Sequence, residues 1–383
     1  MTSASEIRRP TLAITDLDAL AFNYRSVRAF IGDDVRVMAV VKANAYGHGA
    51  LQCSRRLETE GVEWLGVALP EEAIELRRGG IRSRILCLGG FWAGQEPALF
   101  QQNITPAISS IEQAESLNRA ALDRGECINV HLKFDTGMGR IGVRWDQAAE
   151  FAKQLRPLTN LRVEALMTHF AAADDLSQNA FTGLQVARFD EIVTIFRTLG
   201  FSPHLIDLAN SPAAIAHPST RKDLVRLGGV LYGLGGDVLP KDISIPELKP
   251  VLCLTTEITH LKQVSARESL GYGRRFITQR DSLIATIPAG YADGLPRQLS
   301  GRGQVIINDR YAPIVGRISM DWTIVDVTDV EGSEIGSPVA LIGRSENCVI
   351  LAEDLAVVAD TISYEITCGI GVRVERRFVG RSD

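Results

Sequence analysis

The chain has 383 residues, is 45% hydrophobic and 23% charged, and carries a formal net charge of −5. That much apolar material excludes a disordered chain, the mildly acidic balance leaves no electrostatic footprint for nucleic acid or anionic lipid, and no apolar run approaches the ~18–20 residues that span a bilayer. The segment Met1–Pro10 has no apolar leader core and the six cysteines form no Cys-x-x-Cys pair, so a cytoplasmic protein with reduced thiols is expected.

Thr11–Thr15 has strand character and is expected to pair with the C-terminal part of the chain. A helix follows over Asp16–Ile31, capped by Thr15 or Asp16. From there to about residue 230, apolar strands alternate with amphipathic helices. The strand segments are Arg36–Val41, Trp64–Ala68, Arg84–Leu88, Ile104–Ile108, Ile128–Phe134, Arg162–Thr168, His204–Leu208 and Leu224–Leu227. Helical patterns fill the gaps, among them Glu71–Arg78 behind Pro70, Ile111–Arg124 behind an N-cap at Ser110, and Asn179–Leu199. This alternation predicts a (β/α)8 barrel of the TIM type over residues 1–240. An open doubly wound sheet is the alternative. The barrel is favoured because polar, Gly-rich segments recur after strand C-termini.

Past Gly236 the texture changes, and Pro240, Pro246 and Pro250 mark a linker. Strand-like runs follow at Leu252–Leu261, Leu283–Ile287, Gln304–Ile307, Trp322–Val327 and Pro338–Ile342, with a turn at Asn308–Asp309 and one helix over Leu351–Ile362. A mainly-β domain is predicted for residues 241–383.

Chemistry-bearing residues cluster behind the barrel strands. Lys42, in Ala39-Val-Val-Lys-Ala-Asn-Ala-Tyr-Gly-His-Gly49, ends the first one. That position aims its amine into the barrel mouth, where burial suits a Schiff-base nucleophile. A lysine snorkelling out of the barrel end fits the position equally. Tyr46, Gly47 and Gly49 add a hydroxyl and close backbone approach, as an anionic ligand needs. Asn210-Ser211-Pro212 follows the seventh strand and Arg226-Leu-Gly228-Gly229 ends the eighth, the usual phosphate site of such barrels. Ser211 offers a hydroxyl and the two glycines offer N–H groups. Asn-Ser-Pro also reads as a plain helix cap. Lys133 faces the barrel interior with Arg140 in the loop above it, two cations that repel unless an anion intervenes. His169 ends the sixth strand and is able to brace Arg226. Gly271-Tyr-Gly-Arg, Gly290-Tyr-Ala-Asp-Gly, Gly316-Arg-Ile-Ser-Met-Asp and Ile362-Ser-Tyr-Glu read either as turns or as site loops. No metal-ligand spacing occurs.

Val-Val-Lys42-Ala-Asn-Ala-Tyr-Gly-His-Gly resembles the pyridoxal phosphate attachment site of the alanine racemases. Asp-Thr-Gly-Met-Gly-Arg, Thr-His-Phe, Ala-Asn-Ser, Arg-Leu-Gly-Gly-Val-Leu-Tyr-Gly, Gly-Tyr-Gly, Gly-Tyr-Ala-Asp-Gly, Ser-Met-Asp and Ile-Ser-Tyr-Glu follow in that family's order. The resemblance implies a homodimer of chains that each carry a (β/α)8 barrel and a β domain, Tyr272 reaching the partner subunit's site. It implies that Lys42 holds pyridoxal 5′-phosphate, with Tyr46, Asn210, Ser211, Tyr364 and the backbone of Gly228 and Gly229 around the phosphate. Arg226 then faces the pyridine nitrogen, backed by His169. Arg140 lies near the phenolic oxygen and the substrate carboxylate, which the Met320 backbone also contacts. Lys133 matches a lysine that is often carbamylated, and Asp174, Tyr291, Arg297, Arg317 and Ile362 match the substrate entrance. The implied reaction interconverts L- and D-alanine, Lys42 and Tyr272 serving opposite faces, and supplies D-alanine for peptidoglycan. A racemase of serine or of broader specificity is the nearest alternative. A barrel-type decarboxylase would set a carboxylate where Arg226 stands, and a cofactor carrier would need neither the β domain nor Tyr272. Three positions depart from the family pattern: Ser319 stands where many members have cysteine, Asp207 where many have histidine, and Gly271 in place of a common serine.

Overall fold

The computed structural model describes residues 9–241 and 243–381. The described residues form two units, one of residues 20–46 and 50–249, the other of residues up to Ala19, 47–49 and 250–381.

In the first unit, Arg36–Val40, Trp64–Val67, Arg84–Cys87, Ile104–Ile108, Ile128–Asp135, Leu161–Met167, Leu205–Asp207 and Leu224–Leu227 pair in parallel in chain order, and the last returns to the first to close the barrel. The open doubly wound alternative is thereby excluded. These strands are near-continuous apolar runs because a parallel sheet covered on both faces shows neither side to water. Met38, Trp64, Leu86, Ala107, Met167, Leu205 and Leu224 pack together within this unit. Helix Pro70–Arg78 starts on proline, whose missing N–H is no loss in a first turn. Ser110 caps Ile111–Arg124 by accepting from the Gln113 N–H, and Gly125 ends it at φ 65°. Among the described residues no helix is long and apolar enough to cross a membrane.

The second unit is a mixed sheet in which Leu12–Asp16 lies between Leu252–Glu257, antiparallel, and Glu375–Val379, parallel. Leu252–Leu261, expected as one strand, is two. The chain changes partners at Ile258 and Thr259, whose N–H groups go to the Ser337 and Thr286 carbonyls, and His260–Val264 then pairs with Ser282–Ile287. The expected helix Leu351–Ile362 is Ala352–Ala359, stopped by Asp360 at φ 58°, with a second short helix at Ser363–Cys368. Glu375–Val379 carries too much charge, and Arg310–Val315 a proline, to read as strands. They form because partners on the sheet accept them.

Candidate active site

The first barrel strand stops at Val40, and Lys42 opens a turn of unusual backbone. Ala43, Asn44, Ala45 and Tyr46 all lie in the left-handed region, with φ of 52°, 54°, 55° and 53°. Each such residue costs about 1–2 kcal/mol when it is not glycine, so the turn persists only because its surroundings impose it. The Ala45 N–H donates to the Val41 carbonyl at 2.8 Å, the Ala43 N–H to Glu72 Oε1 at 2.6 Å, and the Ala50 N–H to Asn44 Oδ1 at 2.8 Å. The turn swings the Tyr46 ring to 5.1 Å from that of Tyr232, whose hydroxyl donates to the Val40 carbonyl at 2.9 Å. Tyr46 also explains Gly228: a Cβ there would overlap the Tyr46 hydroxyl oxygen and stand 3.1 Å from its Cζ. Gly47 is needed by the chain itself. Within the second unit, a Cβ on Gly47 would overlap the Thr367 carbonyl oxygen, and the Gly47 carbonyl accepts from Arg376 Nε at 2.9 Å.

Behind the seventh strand, Asn210 Oδ1 accepts from the Ala213 N–H at 3.1 Å, so the Asn-Ser-Pro run does cap helix Ser211–Ala216. Buried Ser211 accepts the Gly228 N–H on its Oγ at 2.8 Å. That N–H, expected to be open to a ligand, is therefore satisfied by the protein. What remains open is the Ser211 proton, which no acceptor among the described residues takes.

The end of the eighth strand holds the strongest electrostatics. Arg226 is 4% exposed. Its Nη1 donates to the Asp207 carboxylate. Its Nη2 donates to the Thr168 carbonyl at 2.7 Å and the Leu208 carbonyl at 3.2 Å, and stands 3.2 Å from His169 Nδ1. Nε is left with no hydrogen bond among the described residues. Burial, then the cations Arg226, Arg140, Lys133 and Lys42, push His169 down to about 2. The imidazole is neutral, so Nδ1 accepts from the guanidinium and the ring proton sits on Nε2. Lys133 donates to the Leu88 carbonyl at 3.1 Å. Burial, then Arg226, Arg140 and Lys42, lower its amine to about 8. Asp207 is fully buried, and burial raises its carboxyl to about 6 against the pull of Arg226. Its Oδ2 has no partner among the described residues. Among the described residues, Lys42, Lys133, Arg140, His169 and Arg226 thus share one field, with Asp207 as the anion that faces it. Such a site favours anionic groups and a hydrogen-bond acceptor placed at Nε.

In the second unit, Tyr272 sits in a one-turn element, Tyr272–Arg274, and is 69% exposed. It lines a hollow of about 400 Å³ with Arg317, Ser319, Trp322 and Ile324. Arg297 and Arg317 share a cleft of about 510 Å³ with Arg275 and Arg302. The Met320 carbonyl is already taken by the Ala292 N–H at 3.0 Å. Asp293 ties the Gly290 loop together, accepting the Gly290 N–H at 2.9 Å, Arg9 at 2.5 Å and Arg373 at 2.7 Å. Tyr291 and Ile362 are exposed, and Tyr364 lies in helix Ser363–Cys368. Asp174 belongs to the first unit, exposed in the loop after the sixth strand. Sequence reasoning gave no role to Glu72 or Tyr232 and marked Asp207 only as a departure from the family pattern. The signal for Asp207 was a carboxylate at the end of an apolar strand. The signal for Glu72 was only the ordinary third position of a helix.

The chain matches the family models for the alanine racemase N-terminal domain over residues 15–235 and the alanine racemase C-terminal domain over residues 251–378. It is 42% identical over 373 residues to an alanine racemase of Halothermothrix orenii, covering 97% of each chain. It superimposes with a TM-score of 0.91 and 35% identity on an alanine racemase of Streptomyces lavendulae, covering 98% of each chain. A structure of alanine racemase from Bartonella henselae with covalently bound pyridoxal phosphate gives a TM-score of 0.87 and 30% identity, covering 97% of this chain and all of that one, 100%.

Proposed function

This chain belongs to the alanine racemase family, an isomerase family, and from that membership we propose that it interconverts L- and D-alanine with pyridoxal 5′-phosphate at the barrel mouth. Lys42 and Tyr272 are the two bases, in a homodimer whose second subunit completes each site. The enzyme works in the cytoplasm, and its product D-alanine goes to peptidoglycan.

The residues fit the cofactor. The open Ser211 proton and the Tyr46 hydroxyl packed on Gly228 suit a phosphate oxyanion, with Asn210 fixing the start of that helix. The observation that carries the reading is Arg226, whose two Nη atoms are pinned by Asp207, Thr168, Leu208 and His169. Nε–H is the donor left over for the ring nitrogen. When bound, the cofactor supplies an electron sink for the substrate α-carbon. Everything else falls to the chain. The Lys42 amine moves the α-proton on one face and the Tyr272 hydroxyl on the other. A guanidinium, always charged, gives the ring nitrogen a hydrogen bond without surrendering its proton. That would withhold full charge neutralisation and discourage side reactions at the substrate α-carbon. Arg140 binds the substrate carboxylate together with the Met320 backbone. Asp174, Tyr291, Arg297, Arg317 and Ile362 guard the entrance, and Tyr364 joins Tyr46 and Ser211 as a ligand of the phosphate.

Mixed dimers test this reading. Inactive Lys42→Ala chains refolded with inactive Tyr272→Phe chains give a heterodimer with one complete site and one empty of both bases. Racemisation of L-alanine returns at about half the wild-type rate per heterodimer. Verified heterodimers that stay inactive would overturn the shared site, and equal turnover of L-serine would overturn the substrate.

A further inference from the structure

We propose that Glu72 is a positioning residue for the reaction: one oxygen of its carboxylate starts a helix while the other holds the left-handed turn that carries Lys42. This rests on the reading of Lys42 as the cofactor lysine.

Glu72 is the third residue of helix Pro70–Arg78. Its Oε2 accepts the Ala68 N–H at 2.7 Å and the Leu69 N–H at 3.1 Å, the ordinary work of a glutamate at a helix start. Capping needs only that oxygen. Oε1 turns the other way and accepts the Ala43 N–H at 2.6 Å, shorter than either cap bond. Ala43 follows Lys42 directly and is the first of the four left-handed residues. Ala45 is tied to Val41, next to the turn itself. The bond at Ala43 comes from a different barrel layer, the helix after the second strand. A charged acceptor makes it the strong kind of hydrogen bond. It fixes the peptide that sets where the Lys42 side chain leaves the backbone. A misplacement of about 1 Å at a reacting amine costs up to roughly 100-fold in rate.

Glu72→Gln separates the two jobs. Glutamine has one acceptor oxygen and one NH2 group. Two cap N–H groups hold the oxygen against one at Ala43, so the NH2 faces the Ala43 N–H, donor against donor. In the Glu72→Gln holoenzyme, amide hydrogen exchange over residues 43–46 quickens. Pyridoxal phosphate release speeds by about tenfold, and kcat for L-alanine falls by about tenfold or more with KM changed less. The thermal midpoint falls by only about 3–10 °C, the share of the lost bond, because the cap survives. Adding Ala43→Gly leaves exchange fast but restores much of the cofactor retention and kcat, since glycine adopts φ near 52° with no steric cost. Wild-type exchange and cofactor release in Glu72→Gln overturn the proposal, as does failure of Ala43→Gly to rescue. Should Glu72→Gln alone not fold, recovery of folded holoenzyme by the added glycine supports the same conclusion and its absence overturns it. Borohydride reduction and peptide mapping of wild type decide the Lys42 reading separately. A pyridoxyl group on another lysine would remove that reading, while the exchange data still judge the hold of Glu72 on the turn.

Discussion

Gly228→Ala puts a methyl group where the structure has none to spare. The new Cβ would overlap the Tyr46 hydroxyl oxygen and stand 3.1 Å from Cζ, against the ~3.5–4.0 Å of ordinary carbon contacts. The Tyr46 ring must retreat by roughly 0.5–1 Å. It is backed by Tyr232 at 5.1 Å and stands on a left-handed residue at φ 53°, so it has little freedom to do so. Overpacking of this kind costs about 1–3 kcal/mol. Over a barrel of this size that lowers the thermal midpoint by roughly 2–10 °C. If Tyr46 holds the phosphate, the same energy weakens cofactor binding by about 5- to 150-fold. Absorbance titration of apoenzyme with pyridoxal phosphate and thermal unfolding measure the two effects. The pair Gly228→Ala, Tyr46→Phe then separates them. Losing the hydroxyl relieves the overlap and restores most of the midpoint, but leaves the affinity low because the phosphate contact is gone. Wild-type affinity in Gly228→Ala would refute the reasoning, and so would a double variant no more stable than the single one.

Lys133 is expected to be carbamylated, because burial and the neighbouring Arg226, Arg140 and Lys42 lower its amine to about 8 and leave a reactive neutral fraction. Carbon-13 NMR under labelled CO2 should show a carbamate, lost in Lys133→Ala; a wild-type spectrum without it would count against the assignment. The pH dependence of stability offers another test. The Asp207 carboxyl stands at about 6 in the fold against an ordinary 3.8, so its contribution is complete below 3.8 and is lost as pH rises through 6. His169 stands at about 2 against 6.5, so its contribution is complete above 6.5 and is lost as pH falls. Between pH 4 and 6 the two slopes oppose at about 1.4 kcal/mol per unit each. Asp207→Asn removes one of them, so its stability relative to wild type should fall by about 3 kcal/mol from pH 6 to pH 4. Denaturant midpoints at pH 4, 5 and 6 in both proteins measure this, and parallel profiles would contradict it.

The barrel was legible because hydrophobic runs and helix signals repeat at barrel spacing, and Ser110 and Gly125 bound one helix to the residue. The sheet unit was less so. Glu375–Val379 reads Glu-Arg-Arg-Phe-Val and becomes a strand only because Leu12–Asp16, far away in sequence, offers an edge. The same distinction runs through the site. Lys42, Arg226 and Ser211 announce themselves by residue type at strand ends. The turn behind Lys42 does not, since Ala-Asn-Ala-Tyr has no glycine to betray positive φ. Its conformation is imposed by Glu72 and by the packing of Tyr46 on Gly228, which no local pattern encodes. Gly47 carries a need that no local pattern shows: it lets the Thr367 backbone approach.

Asp207 shows how a substitution at one strand end resets the meaning of its neighbours. Arg226 is buried, and a buried guanidinium without an anion is costly by several kcal/mol. A neutral imidazole at position 207 would share its hydrogen bonds without its charge. The carboxylate shares both. At about 6 it is still mostly ionised at neutral pH, so Arg226 and Asp207 form a pair with little net charge. What the pair then shows to a ring nitrogen is a direction, the Nε–H left after every Nη partner is counted, rather than a field. The positive excess of the site lies with Lys42 and Arg140, the side where a phenolic oxygen and a substrate carboxylate would lie. In this chain the task of holding the ring is thus separated from the task of attracting the anions, and the residue that separates them is Asp207.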